Sequence, residues 1–139
     1  MGSLCYAPGM RDAIESIKQR FSADTVTIHM LEDGVLVLKG HVGVPDPVVQ
    51  IITRVPVGKG MAGLAAERNA PVDSCNIQTD TTGDVRPGAR ATGVNGAIVV
   101  PIRDAAGNVR GTVGIGVHRV HQYTDEETQA LLEEAKKLA

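Results

Sequence analysis

Alternating polar and apolar positions predict most of the strands. Residues 25–30 alternate strictly, which is typical of a strand with one buried face. The turn Glu32-Asp33-Gly34 separates it from a second strand over 35–41, so the two form a hairpin. Residues 96–103 are apolar on both faces at their centre and predict a buried middle strand. A further strand is expected over 109–118, after a short hairpin loop.

Helical periodicity marks both ends of the chain. Residues 8–22 place Ile14, Ile17 and Phe21 on one stripe, and a last helix begins near residue 125. Thr124 and Glu127 form a capping box at its start, and the leucines that follow provide its apolar face. Two shorter helices are expected in the middle of the chain, over 47–53 and 61–68. Terminal helices that cover an antiparallel sheet define an α+β layer architecture.

Two further features are expected to shape any binding site. A short strand begins at Val72, and residues 75–93 then form a long polar loop, which in a compact domain is more often functional than accidental. On the strand 109–118, Val113, Ile115 and Val117 share one face. Gly114 and Gly116 lie on the other face, where bare glycines allow a helix or a ligand to approach the backbone closely.

Composition excludes several classes of protein. Aromatic residues make up 2% of the 139 residues, and 22–122 contain no aromatic ring, which disfavours base stacking and quaternary-ammonium cages. The net charge of −2 and a pI near 6.0 give no basic footprint for nucleic acid. No apolar run is long enough to span a membrane, and no secretory signal is visible. We therefore expect a single cytoplasmic domain.

Cysteine and histidine give no sign of a cofactor or metal centre. Cys5 and Cys75 are too few for a disulfide framework and lack metal-ligand spacing, so both are expected to be reduced. His118 and His121 have no further ligand at a suitable spacing, and a strand-end role is expected for them. His29 and His41 are single histidines on strands with an expected structural or surface role.

Four ordered stretches resemble the GAF domain. They are 55–67 with Ala70-Pro71-Val72, then 93–103, then 107–115, then Tyr123-Thr124-Asp125-Glu126-Glu127. The resemblance covers about 10–139, so 1–139 is interpreted as one GAF domain, with 1–9 as an extension or a cloning remnant. It implies a six-stranded antiparallel, PAS-like sheet with the terminal helices on one face. Middle loops and helices would close over a ligand cavity on the other face.

Members of this family also suggest functions. GAF domains are usually sensory or regulatory modules that bind a small ligand, dimerise through terminal helices and signal to an output domain. This implies an unknown small-molecule ligand, a homodimer and a separate output protein. Cyclic-nucleotide and bilin binding are disfavoured, because Tyr123 to Glu126 is only a partial echo of the nucleotide motif and Cys75 has no adjacent histidine.

Residues 58–63 satisfy the G-x-G-x-x-G pattern of a dinucleotide-binding loop. A dinucleotide-binding loop needs a core strand directly before it, and Pro56 interrupts the segment that would form this strand. We therefore interpret the glycines as a tight turn that packs the following helix onto the sheet.

A thiol-dependent enzyme is the main alternative. Some stand-alone GAF proteins reduce free methionine-R-sulfoxide with cysteines that form a disulfide. When the motif of those proteins is placed on this chain, the resemblance puts two of their cysteines at Ile52 and Ala62. The third falls in the loop before Asn95, where only Ala and Thr occur. The activity would have to use Cys75, with only Cys5 as a partner, so we expect no enzyme.

The loop 75–93 holds the candidate ligand-binding residues, since the family uses this region as a lid. Arginine forks suit a carboxylate or phosphate, and the candidates are Cys75, Asp80, Asp84, Arg86, Arg90 and Thr92. The competing interpretation is a solvated loop whose Asp and Arg side chains pair with each other. The preferred function is a non-catalytic ligand sensor, with a structural dimerisation module as a further alternative.

Overall fold

A computed structural model describes residues 9–139. Cys5, Tyr6 and the first residues of the predicted N-terminal helix lie outside this range. The elements in chain order are α1 (Met10–Phe21), β1 (Thr25–Glu32), β2 (Val35–Val42), α2 (Asp46–Ile52), β3 (Arg54–Pro56), α3 (Gly60–Arg68), β4 (Val72–Ser74), a 3-10 helix (Pro87–Thr92), β5 (Gly96–Arg103), β6 (Val109–Val117) and α4 (Asp125–Lys136).

The six strands form one antiparallel sheet in the order β3-β2-β1-β6-β5-β4. β1 and β6 occupy its middle, and β5, for which the apolar pattern predicted a buried middle strand, lies between β6 and the short edge strand β4. β1 pairs with β6 so that Thr25, Thr27 and His29 lie directly opposite Gly116, Gly114 and Thr112. These residues therefore share one face of the sheet. The α+β architecture expected from the sequence is confirmed.

The other face of the sheet carries the main hydrophobic core beneath α1 and α4. Val26 and Ile28 of β1 are fully buried there, together with Ile17 of α1 and Leu131 of α4. The apolar stripes predicted for the two terminal helices are thus the faces that pack against the sheet. Because α1 and α4 cover the same side, the opposite side is left to the middle of the chain.

An ion pair joins the two terminal helices. The Arg20 guanidinium on α1 donates to the carboxylate of Glu134, whose side chain is only 8% exposed on α4. Burial alone would raise the pKa of Glu134, but hydrogen bonds from Arg20 and Lys137 outweigh it and lower the pKa. α4 itself begins with the predicted capping box of Thr124 and Glu127.

The loop 75–93 is more structured than the sequence predicted. It contains the short 3-10 helix and buries Ile77 and Val85 against Val94, which directly follows the loop, and Ala97 of β5. These apolar side chains are scattered among polar ones, so no periodic pattern reveals them. No helix within residues 9–139 is long and apolar enough to cross a membrane.

Candidate functional site

A cavity of about 430 Å³ lies between the sheet and the elements that cover its free face. β1, β5 and β6 form its floor, while α2, α3 and the 3-10 helix form its roof. Most of the lining is aliphatic or glycine. The lining residues of the roof and its ends include Ile51, Ile52, Lys59, Gly60, Met61, Ala62, Arg86, Gly88, Ala89 and Thr92.

The floor of the cavity exists because two strand positions carry no side chain. A Cβ on Gly114 would lie 2.9 Å from Thr27 Oγ1 and 3.2 Å from a methyl group of Val99. A Cβ on Gly116 would lie 2.7 Å from Thr25 Oγ1. Any larger residue at either position would have to displace these neighbours. The two glycines thus leave space over the centre of the sheet, as their pattern on β6 indicated.

His29 is the most buried polar residue of the floor. It is 3% exposed, and its Nε2 lies 2.8 Å from the Ile52 carbonyl oxygen at the end of α2. A carbonyl only accepts, so Nε2 carries the proton and donates. Burial lowers the pKa of His29, which favours the neutral ring with Nδ1 as an acceptor. Nδ1 has no hydrogen-bond partner, and neither has Oγ1 of Thr112 directly opposite on β6.

Three exposed cationic residues line the cavity: Arg54, Lys59 and Arg86. No Asp or Glu lines it, but Asp84 lines an adjoining pocket together with Lys59 and Arg86. In the part of the chain that the structure describes, no ion pair or hydrogen bond occupies any of the three side chains. The stem of Arg86 lies against Gly60, at the start of α3. These charges therefore remain available to a ligand.

The glycine motif 58–63 has the packing role expected of it. The amide of Gly58 donates to the Gly63 carbonyl at 2.8 Å, which closes a tight turn before α3. Gly63 is buried, and a Cβ there would lie 2.5 Å from the Pro56 carbonyl oxygen. The third glycine therefore lets α3 approach β3, and the interpretation as a structural turn is confirmed.

Two of the six candidate ligand residues line the cavity. Arg86 lies at the start of the 3-10 helix, and Thr92 lies at its end. The Thr92 hydroxyl donates to the Ala89 carbonyl at 2.7 Å and also caps the amide of Val94. Thr92 is thus held by the loop, whereas the Arg86 guanidinium is not.

The other four candidates lie outside the cavity lining. Asp80 accepts from Ser74 at 2.7 Å and from Thr82, and these hydrogen bonds lower its pKa. Arg90 braces the same loop by donating to the carbonyls of Ile77 and Asp80. The remaining two are Asp84, which pairs with Arg68 at 3.2 Å, and Cys75, which is exposed with a free thiol. A binding role for any of the six stays a prediction.

Sequence reasoning missed several polar residues of the cavity. Thr25, Thr27 and His29 come from β1, while Arg54 is the first residue of β3 and Lys59 directly precedes α3. A signal was present for the first three, because the alternation on β1 places three polar side chains on one face of a strand that became central. No pattern in the sequence marks the two cations, which lie in a three-residue strand and in the turn that follows it.

The four histidines do not form a metal centre. His118 Nδ1 lies 3.1 Å from the Gly93 carbonyl oxygen, and His121 Nε2 lies 3.0 Å from the Glu127 carboxylate. Residues 9–139 contain no group of three side chains that could hold a metal ion. His41 also takes part in an interaction. His118 and His121 thus make local contacts just after the end of β6.

Ile52 and Ala62, the two positions at which the reductase resemblance would put cysteines, both line the cavity. The positions that the resemblance assigns to the reductase cysteines therefore line the cavity in this chain, but their side chains are aliphatic. Cys75 lies elsewhere, and no thiol lines the cavity among the residues that the structure describes.

The chain belongs to the GAF domain family, whose model matches residues 10–136. This establishes the class of protein that the curled sheet and covered cavity already indicated. No curated protein matches the chain.

Solved structures share this fold at low sequence identity. The type II free methionine-R-sulfoxide reductase of Thermoplasma acidophilum has a TM-score of 0.76 at 24% identity, over 95% of this chain and 88% of that chain. The GAF domain of a phosphoenolpyruvate-protein phosphotransferase from Coxiella burnetii gives 0.74 at 23%, over 90% and 74%. The free methionine-R-sulfoxide reductase of Neisseria meningitidis gives 0.75 at 22%, over 91% and 71%. At such identities the likeness concerns the fold.

Proposed function

We propose that this GAF domain is a non-catalytic sensory or regulatory module that binds one small ligand in the cavity. The observation that carries the proposal is the half-open cavity of about 430 Å³ between the sheet and the roof. Small-molecule sites typically have volumes of roughly 300–1,000 Å³, apolar walls and a few placed polar groups. The aliphatic lining, His29 and the three cations fit that description.

A ligand in this cavity would contact strands whose opposite face packs against the terminal helices. β1 and β6 present Thr27 and Gly114 to the cavity, while Ile28 and Val113 of the same strands pack beneath α1 and α4. Binding that shifts these strands would therefore reach the terminal helices. We propose that α1 and α4 form the dimer contact and pass the signal to a separate output protein.

The catalytic alternative is a thiol reductase of the kind found among the structural neighbours. It receives support from the fold and from the position of Ile52 and Ala62 on the cavity wall. The chemistry needs a thiolate that reaches the substrate, and the aliphatic wall supplies none. A thiol-coupled assay with free methionine sulfoxide decides: consumption that disappears in Cys75→Ser would replace the sensor proposal.

A matched pair of substitutions on α3 tests the proposed function. Ala62 lines the cavity, whereas Ala66, one turn later on α3, does not. We expect native mass spectrometry of the purified protein to show one bound small molecule in the wild type and in Ala66→Phe. Ala62→Phe should be bare, because its ring fills the space. A bare wild-type protein, or a molecule retained in Ala62→Phe, would contradict the proposal.

A further inference from the structure

We propose that the cavity takes a small aliphatic molecule with a carboxamide group, and that Thr25 and Thr27 bind this group on the floor. The inference rests on the proposed function and specifies the class of ligand. Three observations support it: two hydroxyl groups without a partner in the protein, the spacing between them, and the aliphatic walls above.

The two threonine hydroxyls lack a hydrogen-bond partner in the protein. Thr25 is only 7% exposed and Thr27 is half-buried, and both line the cavity. No group within residues 9–139 makes a hydrogen bond with either hydroxyl, yet neither oxygen is sealed inside the protein as Thr112 Oγ1 is. A polar group that is nine-tenths buried normally has a partner, because leaving it unpaired costs free energy. We therefore expect the partner among the contents of the cavity.

Both hydroxyls lean over bare backbone on the neighbouring strand. Thr25 lies opposite Gly116, and a Cβ added there would lie 2.7 Å from its Oγ1. Thr27 lies opposite Gly114, where the same distance would be 2.9 Å. Because both side chains lean towards β6, their hydroxyls keep the spacing of alternate strand residues, about 6.6 Å. A hydrogen bond between oxygens spans about 2.8 Å, so a single ligand atom cannot reach both hydroxyls.

This spacing favours a head group with two hydrogen-bonding atoms on one carbon. The oxygen and nitrogen of an amide lie about 2.3 Å apart, so the oxygen can accept from one threonine while the nitrogen donates to the other. A threonine hydroxyl both donates and accepts, so the amide fits in either orientation. A lone alcohol would leave one threonine unpaired. Neutral hydroxyls do not replace the hydration of a carboxylate, which favours an uncharged head group.

The walls above the floor favour an aliphatic carbon chain. Val48 and Ile52 of α2 line the cavity together with Met61 and Ala62 of α3. No Phe, Tyr or Trp of the described residues lines it, so a planar ring has no stacking partner there. Transfer of methylene groups from water to such walls is favourable. The alkyl chain would therefore pack under the roof while the amide lies on the floor.

Calorimetric titration with three probes of equal chain length tests the proposal. Hexanamide presents two hydrogen-bonding atoms without charge, 1-hexanol presents one, and hexanoate presents two with a charge. In the wild-type protein we expect hexanamide to bind about fivefold more tightly than 1-hexanol, the usual gain from one further hydrogen bond. Hexanoate should also bind, but about fivefold more weakly than hexanamide, because its carboxylate loses hydration.

Valine variants assign the preference to the threonine hydroxyls. Thr25→Val and Thr27→Val keep a branched side chain on the strand and remove the hydroxyl. In each variant hexanamide should lose about fivefold in affinity, and with it the advantage over 1-hexanol, which needs only one hydroxyl. Thr112→Val is the matched control, because Thr112 is a buried threonine of β6 that does not line the cavity. It should keep the wild-type preference.

Equal affinity for hexanamide and 1-hexanol in the wild-type protein would overturn the proposal, and so would failure of every probe to bind. Tighter binding of hexanoate than of hexanamide would overturn it as well. The same holds for a preference that survives in either cavity variant or disappears in Thr112→Val. The wild-type comparison needs no variant to fold.

These failures differ from a failure of the proposed function. If native mass spectrometry still shows a bound molecule that Ala62→Phe excludes, the sensor proposal stands and only this ligand class is wrong.

Discussion

Leu131→Ala is expected to lower the free energy of unfolding by about 2–5 kcal/mol, the usual cost of a large-to-small change in a closed core. Leu131 is fully buried where α4 packs on the sheet, so its removal leaves a cavity among well-ordered neighbours. For a domain of this size the loss corresponds to roughly 10 °C in melting temperature. Urea unfolding followed by circular dichroism measures it.

Leu132→Ala is the matched control for that variant. Leu132 adjoins Leu131 on α4 but is only half-buried, so its truncation should cost about 1 kcal/mol. Equal losses in the two variants, or a loss below 1 kcal/mol in Leu131→Ala, would show that α4 does not close the core as described.

Gly63→Ala is expected to destabilise the protein by about 2 kcal/mol, although alanine normally favours a helix over glycine by about 1 kcal/mol. The new Cβ would lie 2.5 Å from the Pro56 carbonyl oxygen and 3.1 Å from the Gly58 amide nitrogen, both backbone atoms with little freedom to move. α3 would therefore have to retreat from β3. Chemical denaturation of the variant gives the value.

Gly88→Ala makes the same change where space is available. Its Cβ would meet only the two methyl groups of Ile51, at 3.9 and 4.0 Å, which are ordinary contacts, so we expect a change within about 0.5 kcal/mol. A stable Gly63→Ala protein would contradict the packing role given to the glycine motif.

Local pattern sufficed for much of the fold. The alternation at 25–30, the capping box at Thr124 and the stripe on α1 each depend on neighbours within a few residues, and each appears in the structure. The candidate site was harder to predict because alternation shows which residues share a face but not what covers that face. Thr25 and His29 line a cavity only because α2 lies over β1 and α3 packs over the neighbouring strands β5 and β6.

Arg86 and Arg90 show the same limit within one loop. Both are exposed arginines in a polar segment, yet one lies at the cavity and the other donates to the carbonyls of Ile77 and Asp80. The two side chains lie in different places because buried Ile77 and Val85 fix the path of the loop. Such anchoring depends on tertiary contacts and leaves no periodic trace in the sequence.

The claim that the cavity is the ligand site is tested most directly by nuclear magnetic resonance of the protein labelled with carbon-13 at the methionine methyl groups. Met61 lines the cavity, whereas Met30 packs under the terminal helices on the other face of the sheet. On titration with hexanoate, a short probe suited to the aliphatic lining, we predict a saturable shift of the Met61 methyl resonance while that of Met30 stays in place. Hexanoate that binds in calorimetry but leaves the Met61 resonance unmoved, or shifts both resonances equally, would contradict the account.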